Sequence, residues 1–230
     1  MPNQALKGIS SMATRQLLAV LLPAWHSRSG VTIDMESVGG VDAARRVQAG
    51  EPFDVVMLAS DAIDKLAAAG RVVAGSKVDL VHSGVAVAVR AGEALPDIST
   101  EAALKAAVQS APTIGYSTGP SGVALLKLFE RWGLAETLAA RTVQASPGIP
   151  VGSLVASGEV ALGFQQLSEL MHLPGITVVG PLPDAVQIIT TFSAGICTTS
   201  TNADAAGATL AFMASADTAD AKRQQGMEPA

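Results

Sequence analysis

The chain has 230 residues and 23.2 kDa, with 49% hydrophobic and 15% charged residues and a mean hydropathy of +0.38. That is enough apolar surface for a large core, which excludes a mostly disordered protein. A formal net charge of −5, a pI near 5.1 and no basic run longer than Arg45-Arg46 exclude a nucleic-acid surface. The one cysteine, Cys197, excludes an internal disulfide and a thiolate zinc cage, and it reads as a core residue.

Short β-like runs alternate with helical runs, the pattern of parallel sheets covered by helices, so the fold class is α/β. A first strand covers Ala5 to Ile9 and a helix residues 13 to 26, with Leu17, Leu21 and Trp25 on one face. The apolar run Leu17 to Ala24 belongs to that helix rather than to an export signal: it is short, holds Pro23 and lacks a small-residue cleavage site. A cytoplasmic chain is therefore expected, or a periplasmic one where a longer precursor is trimmed. No run reaches the roughly 18 apolar residues of a membrane span, so no membrane insertion is expected.

A second strand at Val31 to Glu36 leads through SVGG to a helix from Asp42 to Ala49, and a third strand spans Asp54 to Leu58. Ser60 or Asp61 is expected to cap the next helix, which stops at Gly70. Val85 to Val89, a helix from Thr100 to Gln109, a strand at Thr113 to Tyr116, the loop STGPSG and a helix from Val123 to Trp132 follow. Then come a helix at Val151 to Ser157, a strand at Val160 to Phe164 and a short helix at Gln166 to Met171. Strand-like runs at Thr177 to Val179 and Gln187 to Cys197 precede a last helix at Ala203 to Ala214 and a polar tail. Turn-rich apolar stretches near Val78 to Gly84 and Val186 to Phe192 read as two crossovers. They divide the chain into lobe I (1–81 and 190–230) and lobe II (82–189), with a ligand cleft expected between the lobes and hinge motion about the crossovers.

Four strand ends run into small or hydroxylated residues that open a helix: Ser10-Ser11, Ser37 to Gly40, Ser117 to Gly122, and Val151 to Ser153. Helix N-termini offer unpaired N–H groups and a partial positive charge, and small side chains let an oxyanion approach. At the carboxyl ends of parallel strands such loops converge where open α/β sheets bind ligands. No Gly-Lys-Ser/Thr follows STGPSG and no GxGxxG occurs, so neither a nucleotide nor another cofactor is expected, and no metal cluster. Gln165-Gln166 could hydrogen-bond a carboxylate, and Arg15 and Arg45-Arg46 could reach an anion, although solvated helix faces explain these arginines equally. Asp61 and Asp64 beside a strand end suit acid–base work or capping. His26 and His172 read as exposed, and His82 in the first crossover as a hinge residue or a general base.

The segments GISSM, AGEPFDVVMLAS, YSTGPSG, ASGEVALGFQQLSEL and TTFSAGI, in this order, resemble the molybdate-binding-protein family of ABC importer receptors, and within it the aconitate-isomerase-like branch. The resemblance implies a type II periplasmic-binding-protein fold, two α/β lobes joined by two crossover strands. It also implies a small oxyanion or carboxylate as ligand and an ABC permease as partner. Carried over by position, the ligand-binding residues are Ser10, Ser11, Gly39, Gly40, Ser117, Ser121, Gly122, Val151 and Gln166. This chain has SVGG where the resemblance implies a serine, and Gln166 where it implies a tyrosine. The branch implies a second activity, movement of a double bond in a small polycarboxylate, for which His82 and Glu169 are the candidate bases.

Overall fold

The structure, a computed structural model, describes residues 5–230. In chain order its strands and helices are β1 (Leu6–Ser11), α1 (Arg15–Ser29), β2 (Ile33–Val38), α2 (Gly40–Gln48), β3 (Val55–Ala59), α3 (Ser60–Ala68) and β4 (Val78–Arg90). They continue as α4 (Glu101–Ser110), β5 (Ile114–Tyr116), α5 (Pro120–Arg131), α6 (Ala135–Leu138), β6 (Thr142–Gln144), α7 (Val151–Ser157), β7 (Leu162–Gln166) and α8 (Leu167–Leu170). β8 (Ile176–Pro181), β9 (Ile189–Ile196), α9 (Ala203–Ala214), α10 (Ala219–Gln224) and β10 (Met227–Pro229) complete the chain. Two compact units result: one runs up to His82 and resumes over Thr191–Ala230, the other is Ser83–Thr190. The strands β4 and β9 carry the chain from one unit to the other.

In unit 1, β2, β1 and β3 pair in parallel and β9 joins β3 antiparallel. β3 is buried along its whole length, so its alternating side chains must meet apolar partners on both faces. Val55 and Met57 pack with Leu17, Leu18 and Leu21 of α1 and with Leu210 and Met213 of α9. Val56 and Leu58 pack on the opposite face with Val47 of α2 and Ile63 and Leu66 of α3. Trp25 ends the stripe of α1 by stacking on Phe212, 5.0 Å between ring centroids, while its Nε1 donates to Thr209 Oγ1. Cys197 is buried here, its thiol pushed up to about 12 by burial and by the nearby Asp54 charge.

Unit 2 repeats the arrangement: β5 is flanked by β6 and β7, both parallel to it, and β4 lies antiparallel between β7 and β8. Val85, Val87 and Val89 face Leu104 and Val108 of α4 and Leu125 and Phe129 of α5, whereas Ala86 and Ala88 face Leu170 of α8.

Several sequence expectations are corrected. Ala59, not Ser60 or Asp61, is the N-cap of α3, because Ser60 already has helical geometry and makes no capping bond. The run beginning at Val85 is the second half of a 13-residue strand, β4, whose first half has the mixed polarity of a turn. The polar tail is α10 and β10. The stem of Lys222 is buried there against the core of unit 1, and desolvation lowers its ammonium below the usual lysine value.

Phe129, 1% exposed, meets Phe164 edge-on and stacks against Trp132. Phe129→Ala should cost unit 2 about 3–5 kcal/mol. A urea transition followed by Trp132 fluorescence in a Trp25→Phe background reads this, and an unchanged midpoint would contradict the packing described.

Candidate functional site

Parallel pairing brings the carboxyl ends of β1, β2 and β3 to one edge of unit 1. Ser10 stands opposite Ser37 and Ser11 opposite Val38. The Ser10 and Ser37 hydroxyls are 2.8 Å apart, and Ser10 is fully buried, so its hydroxyl is spent inside the unit. Ser11 Oγ accepts the Ala13 N–H at 3.3 Å and caps the 3₁₀ turn Met12–Thr14, which leaves its own proton to give. Gly40 opens α2 beside it, where a Cβ would come within 3.7 Å of Ser11 Oγ. Gly39 is the cap of α2 and has no side chain to compete for the first-turn N–H groups.

In unit 2, β5, β6 and β7 likewise end at one edge, followed by α5, α7 and α8. Ser117 and Ser121 hydroxyls lie 3.1 Å apart across the start of α5, so one donates to the other and one proton stays available. Pro120 sits in the first turn of α5, where its fixed φ and missing N–H cost nothing. Gly122 is obligatory by close approach, because a Cβ there would run into the Ser117 carbonyl oxygen.

Val151 and Gln166 have partners of their own. The buried Val151 N–H donates to Gln165 Oε1 at 2.7 Å, and Gln165 Nε2 donates to Glu169 Oε1 at 2.8 Å. Gln166 is 3% exposed. With its amide oriented to satisfy both ends, the nitrogen donates to Ser83 Oγ at 2.8 Å and to the Ser83 carbonyl, and the oxygen accepts from Thr190 Oγ1 at 2.9 Å. It ties together the ends of β4 and β9 that belong to unit 2. The Gln165–Glu169 pair spans the bend from β7 into α8. Nothing in the sequence marks Ser83 or Thr190 as partners of Gln166.

Several charged residues are paired with one another. Arg46 binds Glu36 and Glu51 and lies 5.3 Å from the Phe53 ring centroid, Arg45 binds Asp42, Asp61 pairs with Lys65, and Asp64 with Lys77. His82 Nδ1 and Thr191 Oγ1 are 3.0 Å apart, joining the unit 1 ends of β4 and β9. Arg15 is exposed at the first position of α1. Glu169 is the exception among the carboxylates: burial pushes it up to about 7, and the Gln165 amide only partly opposes this.

Two α/β units threaded by two shared strands define the fold of periplasmic binding proteins, and solved structures have it. The Azotobacter vinelandii periplasmic molybdate-binding protein superposes with a TM-score of 0.80 at 20% identity, over 96% of this chain and 98% of that one. The tungstate ABC transporter protein from Geobacter sulfurreducens gives 0.78 at 17% identity, over 97% and 100%. Residues 6–228 match the bacterial extracellular solute-binding protein family, and the chain belongs to it. An aconitate isomerase of a Pseudomonas species is 39% identical, over 99% of this chain and 89% of its own length. No described helix is long and apolar enough to cross a membrane.

Gly122→Ala should displace the Ser117 carbonyl and lower the melting temperature by several degrees, roughly 1–3 kcal/mol for an overpacked site. An unchanged melt would contradict the close approach. Glu169 binds its proton more tightly folded (about 7) than at its ordinary value of 4.5, so stability is fully present below pH 4.5 and falls as pH rises through 7. Wild type should therefore lose stability between pH 5 and 8 relative to Glu169→Gln in paired thermal melts, and parallel curves would refute the desolvated carboxyl.

Proposed function

We propose that the chain binds a small unsaturated polycarboxylate and moves its double bond by proton transfer. The observation that carries this reading is the 39% identity with an aconitate isomerase across 99% of the chain, because the likeness to molybdate and tungstate proteins, at 17–20%, extends to the fold alone. The donors fit: Ser11, Gly39 and Gly40 in unit 1 and Ser117, Ser121 and Gly122 in unit 2 offer hydroxyls and first-turn N–H groups to carboxylate oxygens.

The chemistry needs no oxidant and no cofactor. A base takes a proton from the CH2 group beside a carboxylate and C=C. The C–H electron pair delocalises through the allyl system into a dienolate, and the proton returns to the other terminal carbon. Donors aimed at the carboxylate stabilise the charge that develops there. Family membership favours a second reading, a receptor that hands its ligand to an ABC permease without altering it.

Purified protein incubated with cis- or trans-aconitate and followed by proton NMR separates the two. Interconversion is expected. Melting-temperature increases with molybdate or tungstate and none with carboxylates would overturn the proposal. The double variant Ser11→Ala, Ser121→Ala should weaken carboxylate binding at least tenfold while leaving the fold intact, as read by calorimetry, since each change deletes a donor.

A further inference from the structure

The double-bond reading leaves the base unassigned. Elements packed against Glu169 offer no competitor: α7 (VGSLVAS), β7 (LGFQQ) and β8 (ITVVGP) contain no titratable side chain, and α8 (LSEL) contains Glu169 alone. β4 carries Asp79, His82 and Arg90, all outside the Val85–Ala88 stretch that pairs with β7, and His172 follows α8 by two residues. No charge contributes to the environment of Glu169. Burial and the Gln165 amide set it.

Geometry fixes one oxygen of this carboxyl. Oε1 receives the Gln165 amide, and Gln165 is itself locked, 3% exposed, by accepting the Val151 N–H at the start of α7. A carboxylate anchored through one oxygen can turn the other toward a C–H bond, as proton abstraction from carbon requires. The position is also apt. Glu169 lies in the first turn after β7, on the same edge of unit 2 as the Ser117 and Ser121 hydroxyls after β5.

Resting on the isomerase reading above, we infer that Glu169 is the catalytic base that carries the proton between the two allylic carbons, and that Gln165 is the positioning residue that aims its carboxyl. Oε2 takes the proton from one CH2 carbon as the C–H pair moves into the dienolate. The same oxygen returns it to the other terminal carbon, so charge and atoms balance and the base is regenerated. The burial of Glu169 suits the task, since a carboxyl raised toward neutrality is a stronger base toward carbon than an exposed one.

The test compares wild type, Glu169→Gln and Gln165→Ala with trans-aconitate in D2O, reading turnover and deuterium entry into the CH2 group by NMR and binding by calorimetry. Glu169→Gln should bind within a few-fold of wild type, melt no lower at pH 8, and lose on the order of 10²–10⁴-fold in turnover and in deuterium exchange. Wild-type kcat/KM should rise with pH through a midpoint near 7. Gln165→Ala removes the donor that lowers the carboxyl, so its midpoint should move upward together with a fall in kcat, which a purely structural role would not produce. Glu169→Gln turning over within tenfold of an active wild type would overturn this assignment and leave the isomerase reading standing. A wild type inert toward every unsaturated polycarboxylate tried would overturn both.

Discussion

The pairing of β1 with β2 and β3, and of β5 with β6 and β7, is parallel in each unit, and the site described depends on that direction. Parallel strands end on one edge, and each must be followed by a crossover, so the starts of the next helices gather along the same line. Residues far apart in sequence become neighbours: Ser10 meets Ser37, and Val151 meets Gln165. The apolar alternation of β3 and β4 holds this arrangement by filling both faces of each sheet, which leaves the strand ends as the place where small polar residues can face a ligand.

An acidic chain can attract an anion in this way because the attraction is local. The helix starts supply N–H groups and hydroxyls of fixed direction, while Arg45 and Arg46, five and six residues after Gly40, are bound by Asp42, Glu36 and Glu51. Neutral donors hold a carboxylate without the strong salt dependence of a cationic patch. In unit 2 a single carboxyl, Glu169, is raised by burial toward neutrality.

Much of this was legible in the sequence because it rests on local rules. The aliphatic runs, the glycines closing helices and the hydroxylated strand ends give the order of most elements, α6 and β6 being missed, and α7 and α9 fall at the residues that periodicity gives. What stayed hidden depends on tertiary partners. Gln166 resembles a ligand residue, yet its amide is consumed by Ser83 and Thr190, which lie 83 and 24 residues away and carry no pattern. Val151 offers its N–H to Gln165 rather than outward. The last residues read as a tail because Lys222 and its neighbours are polar, although Lys222 itself is buried.

The most direct test of the central claim is a crystal structure of the Glu169→Gln variant with an unsaturated tricarboxylate bound. The account predicts a carboxylate oxygen within hydrogen-bond distance of the Ser121 hydroxyl, and a ligand CH2 carbon within about 3–3.5 Å of the residue 169 amide. A ligand held by arginine or lysine side chains away from the strand ends of unit 2, with Ser121 untouched, would contradict it.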